Sequence, residues 1–117
     1  MNKLHTPEVD ELFKAIRLLE TEEECYMFFE DVCTVKEIMD IAQRLKTAKM
    51  LKDGKNYTEV SKETGMSSAT ISRVNKCIEY GNGGYNLVIE RLAKESNNDW
   101  KSIKERRTSN FQFTFSL

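Results

Sequence analysis

A chain of 117 residues with 39% hydrophobic and 32% charged content can build one modest core, which pairing with a second copy would enlarge. Its net charge of −1 excludes a protein that is basic throughout, so any contact with nucleic acid must rest on a local surface. One proline, five glycines and the lack of long valine-rich alternation point to an all-α class, and no stretch approaches membrane length.

In chain order, Thr6-Pro7-Glu8 predicts a cap with proline in the first helical turn, followed by Val9, Leu12, Phe13, Ile16 and Leu19 on one face. Thr21-Glu-Glu-Glu24 is a capping box for a second helix bearing Tyr26, Phe28, Phe29 and Val32, aromatics suited to a core or subunit interface. Thr34-Val-Lys-Glu37 opens a longer helix whose apolar positions are Ile38, Ile41, Ala42, Leu45, Ala48 and Leu51, with Gly54 at its end. Residues 8–37 are strongly acidic. Residues 44–62 instead carry Arg44, Lys46, Lys49, Lys52, Lys55 and Lys62 against Asp53 and Glu59. Charges beyond roughly 10 Å are largely screened, so this local excess suffices for phosphate contacts.

Residues 57–77 carry the strongest signal. They predict two short helices hinged at Gly65, the first capped from Asn56 and the second from Ser67. Val60, Thr64, Met66, Ile71 and Val74 fall where two steeply crossing helices bury each other. Ser67, Ser68, Ala69, Thr70 and Ser72 are small enough for a helix tip to approach bases and phosphates, and Lys62, Arg73 and Lys76 can reach phosphate oxygens, Arg73 also a guanine edge. The pattern is that of a helix-turn-helix, which lays its second helix in the major groove.

From Ile78 to Gly84 a glycine-rich turn is expected; it lacks the lysine and strand context of a phosphate-binding loop. Tyr85, Val88, Ile89 and Leu92 repeat at helical spacing. The domain is therefore read as 1–95, and 96–117, ending in Phe111-Gln-Phe-Thr-Phe115, as a polar tail that is disordered or docks late. Cys25, Cys33 and Cys77 are odd in number and lack metal-ligand spacing, so buried or half-buried free thiols in a reducing, cytoplasmic setting are expected. The N-terminal residues have no apolar signal core. The single histidine, His5, and carboxylates spread along solvated helix faces argue against an enzyme.

Four segments, Glu24-Cys-Tyr-Met-Phe-Phe29, Ala42-Gln-Arg-Leu45, Gly65-Met-Ser-Ser-Ala-Thr-Ile-Ser-Arg73 and Tyr80-Gly-Asn82, carry a resemblance. The stretch from Cys33 to Tyr85 resembles the Trp-repressor superfamily, and likeness to its Trp-repressor-like YerC/YecD branch of bacterial proteins spans most of residues 8–93. That resemblance implies an intertwined all-helical homodimer that binds double-stranded DNA and regulates transcription, read as a repressor. It also implies a candidate effector pocket. Arg44 and Arg73 look like the two arginines that hold a tryptophan corepressor, and Thr34 resembles a threonine near the ligand's amino end. Val74, however, stands where Trp repressors carry glycine, and Cys77 replaces a serine. Overfilling a packed site costs about 1–3 kcal/mol. Tryptophan is therefore not expected as corepressor, which leaves another small molecule or none, and no metal. The competing function is a protein-interaction module that uses the acidic, aromatic N-terminal helices without binding DNA.

Overall fold

The computed structural model of the protein describes residues 3–95. The first five helices begin where a short polar side chain accepts from an otherwise orphaned backbone N–H. Thr6 Oγ1 accepts from Val9 N at 3.2 Å and starts α1, Pro7–Arg17, with proline in its first turn. Thr21 Oγ1 accepts from Glu24 N at 3.1 Å and starts α2, Glu22–Val32; Glu24 Oε1 reaches back to Glu20 N at 2.9 Å. At α3, Val35–Lys52, the box is reciprocal: Glu37 N donates to Thr34 Oγ1 (3.1 Å) and Thr34 N to Glu37 Oε1 (2.8 Å). The Thr34 backbone N–H most, and its hydroxyl next, favour the ionised form and hold the Glu37 carboxyl below its ordinary range.

Asn56 Oδ1, accepting from Glu59 N at 2.9 Å, opens α4, Tyr57–Thr64, and Ser67 opens α5, Ser68–Tyr80. A sixth helix, α6, runs over 84–95. Among the described residues there is no strand, and no helix is long and apolar enough to cross a membrane. The tail expected at 96–117 lies outside the described residues.

The chain divides into two compact units at Ala42/Gln43, within α3. In the first unit, α1 and α2 bury no residue at all. Phe28 and Phe29 meet edge to face, with centroids 5.4 Å apart, and are only half-buried. Met27 and Tyr26 are about three-fifths exposed, at 61% and 59%, and Phe13, Val32, Met39 and Ile41 are exposed as well. An open apolar groove runs past Cys25, Tyr26, Phe29 and Ile38, with Glu22 and Glu30 at its rim.

The second unit holds the buried core, formed by Ala48, Val60, Ile71 and Val74 with Thr47. Two sequence expectations change here. Ile78, Glu79 and Tyr80 belong to α5, not to the turn, because Ile78 extends the inward face begun by Ile71 and Val74; the turn starts at Gly81. Cys25 and Cys77 are exposed free thiols and only Cys33 is half-buried, since α2 and the end of α5 leave those faces uncovered in a single chain.

Candidate nucleic-acid interface

The corner between α4 and α5 is three residues long and is closed by four side chains. Gly65 sits in the left-handed region at φ 74° and its N–H donates to Ser61 O at 2.8 Å, ending α4. Thr64 Oγ1 donates to Val60 O (2.7 Å) and accepts from Met66 N (3.2 Å). Ser61 Oγ donates to Met66 O at 2.8 Å, and the buried Thr47 of α3 donates to Met66 Sδ at 3.0 Å. Backbone groups that a tight corner would strand are therefore satisfied by side chains. Below the corner, Val60, Ile71 and Val74 are buried and Thr64 and Met66 half-buried, the five positions at which the sequence predicts a helix crossing.

At the start of α5, Ser67 Oγ accepts from Thr70 N (3.2 Å) and lies 3.1 Å from Thr70 Oγ1. Thr70 is half-buried, whereas Ser67, Ser68, Ala69, Ser72, Arg73 and Lys76 are exposed, as is Lys62 on α4. The first turn of α5 carries no acidic residue, so its positive dipole end is not neutralised locally. Among the described residues, the ion pairs join Lys36 to Asp40, Lys55 to Glu59 and Lys94 to Glu90. None involves Arg44, Lys62, Arg73 or Lys76, so these four cations have no carboxylate partner among the described residues. The surface is small, neutral at its tip and cationic at its edges. Chemically it can hydrogen-bond phosphates, accept a groove edge and neutralise backbone charge; it offers no nucleophile–base pair. Among the described residues, no three His, Cys, Asp or Glu side chains are grouped as metal ligands would be.

The candidate effector residues are divided. Val74 is 4% exposed and part of the core, while Arg44, Arg73 and Cys77 are exposed in the same unit. Thr34 belongs to the first unit, and its hydroxyl oxygen caps α3. Tyr85 of α6 was not singled out by sequence as a site residue. Burial pushes its phenol above the ordinary range, the charge of Cys77 adds to that and Arg44 opposes it. Asn86 Nδ2 donates to Ile78 O at 3.2 Å and ties α6 to the end of α5. At sequence level Tyr85 is one apolar position among four.

Residues 7–93 match the family model described as Trp repressor protein. The uncharacterized protein YerC of Bacillus subtilis (strain 168) is 48% identical over 92 residues, covering 79% of this chain and 88% of that protein. The crystal structure of a TrpR-like protein from Eubacterium eligens ATCC 27750 superposes with a TM-score of 0.77 at 50% identity, covering 80% of this chain and 96% of the other. A Staphylococcus aureus chain gives 0.75 at 48% identity, covering 79% and 92%.

Proposed function

The chain belongs to the Trp repressor protein family, and from that premise we propose that it is a sequence-specific double-stranded DNA-binding regulator of transcription, a repressor acting as a homodimer through a helix-turn-helix. One observation carries the reading. α5 turns Ile71 and Val74 into the core and leaves Ser68, Ala69, Ser72, Arg73 and Lys76 exposed behind a tight glycine corner. Ser68, Ala69 and Ser72 meet base edges or phosphates, while Lys62, Arg73 and Lys76 anchor the backbone. The uncompensated N-terminal dipole of α5 adds to the attraction for phosphate.

Dimerisation is supported by what one chain leaves undone. Three branched side chains in the second core contribute about 1.5–3 kcal/mol each. Ordering a residue's backbone costs about 1–2 kcal/mol. With α1 and α2 burying nothing, a single chain leaves large apolar side chains wet, and a second copy covers them. Two-fold symmetry then sets two α5 tips against half-sites roughly 34 Å apart.

The effector reading follows from Val74. Its side chain already fills core space, so the protein does not take tryptophan as corepressor; a calorimetric titration with tryptophan is expected to show no micromolar binding. The test of the main reading is selection from random duplexes with purified protein. An inverted repeat emerges with one-turn spacing, and affinity falls steeply with salt. No enrichment, or salt-insensitive binding of a protein partner instead, refutes it.

A further inference from the structure

The exposed residues of α5 are not equivalent. Ala69, Ser72, Arg73 and Lys76 stand at i, i+3, i+4 and i+7, one continuous outward stripe opposite Ile71, Val74 and Ile78. Thr70 is off that stripe. It is half-buried, its backbone N–H is bound by Ser67 Oγ and its own hydroxyl lies 3.1 Å from the same oxygen. Ser67 is in turn spent on the cap. Two of the five small residues at the tip therefore hold the helix start in shape, and their hydroxyls have a partner already.

Of the side chains that remain on the outward stripe, Ala69 is the one nearest the tip and the one that ends in a bare methyl group. Arg73 lies about 6 Å further along the axis and Lys76 beyond it, so the two cations sit on the phosphate side of a helix whose tip enters a groove. A methyl at the tip has one complementary feature in the major groove, the C5-methyl of thymine, which no other base carries. Resting on the DNA-binding reading above, we propose that Ala69 is a specificity-determining residue that packs against a thymine methyl in each half-site, and that Thr70 is a positioning residue, not a base reader.

The experiment uses the full chain and the duplex obtained by selection. Each thymine of a half-site is replaced in turn by deoxyuridine, which removes only the methyl group. One position per half-site weakens binding about fourfold, the equivalent of ~0.8 kcal/mol for one buried methyl. In Ala69→Ser that penalty disappears, because the apolar contact is already lost. In Thr70→Val the helix start is weakened and affinity drops for thymine and uracil duplexes alike, with their ratio kept. Selection that enriches no duplex overturns the DNA reading and this inference together. An enriched duplex whose uracil-substituted forms all bind like the parent overturns this inference alone, as does a penalty that survives unchanged in Ala69→Ser. The wild-type comparison needs no variant to fold.

Discussion

Replacing Gly65 by alanine isolates the conformational cost of the corner. The residue sits at φ 74°, and a Cβ built there meets nothing within 4 Å, so no neighbour has to move. What remains is the intrinsic penalty of placing an L side chain in the left-handed region, about 1–2 kcal/mol. Loss of glycine's extra freedom in the unfolded chain offsets part of that, by about 0.4–1 kcal/mol. A net destabilisation of about 1 kcal/mol is expected. At a fixed protein concentration it is read as a lower urea midpoint with unchanged slope. Gly65→Asn should lose less, because asparagine enters this region more readily than alanine. An alanine variant as stable as the parent, or more stable, would refute the assignment of Gly65 as a conformational hinge.

Gly81→Ala meets a different obstacle. Its Cβ would clash with the backbone oxygen of Cys77, so the last turn of α5 must shift and strain the Gly81 N–H bond to that oxygen. Circular dichroism should show lost helicity, and stability should fall further than in Gly65→Ala. Arg73→Ala should weaken binding to a selected duplex and reduce the salt slope by about one phosphate contact per subunit, measured by fluorescence anisotropy across salt concentrations. Unchanged affinity at physiological salt would remove Arg73 from the interface. Because Thr34 holds the Glu37 carboxyl below its ordinary value, its contribution is complete above that value and fades as pH falls through the lower folded one. The stability gap between wild type and Glu37→Ala should therefore be flat near neutrality and close under acid, which melts at stepped pH will show.

Local rules made much of this molecule readable. Thr6, Thr21, Thr34, Asn56 and Ser67 all accept from the backbone N–H three residues on, and each was visible as a cap because capping depends only on near neighbours. Gly65 was legible for the same reason, as were Val60, Ile71 and Val74. The burial of Thr47 was not. Its partner Met66 lies 19 residues away, and a threonine on a helix gives no sign of facing inward. Nor could composition distinguish exposed Ile41 from buried Ala48 on α3, since both sit at apolar positions and only the neighbouring elements decide which is covered. The candidate surface could be proposed from residue types alone; its internal division, with Thr70 turned to Ser67, depends on a rotamer that spacing does not specify.

The outward stripe of α5 has a bearing on how such a protein changes over generations. Ala69, Ser72, Arg73 and Lys76 contribute nothing to the buried core, whose α5 members are Ile71 and Val74. Exposed positions of that kind usually tolerate exchange within about 0.5 kcal/mol. On the DNA-binding reading proposed above, mutation can thus rewrite the preferred duplex while the scaffold beneath stays intact, and retargeting proceeds without passing through unstable intermediates.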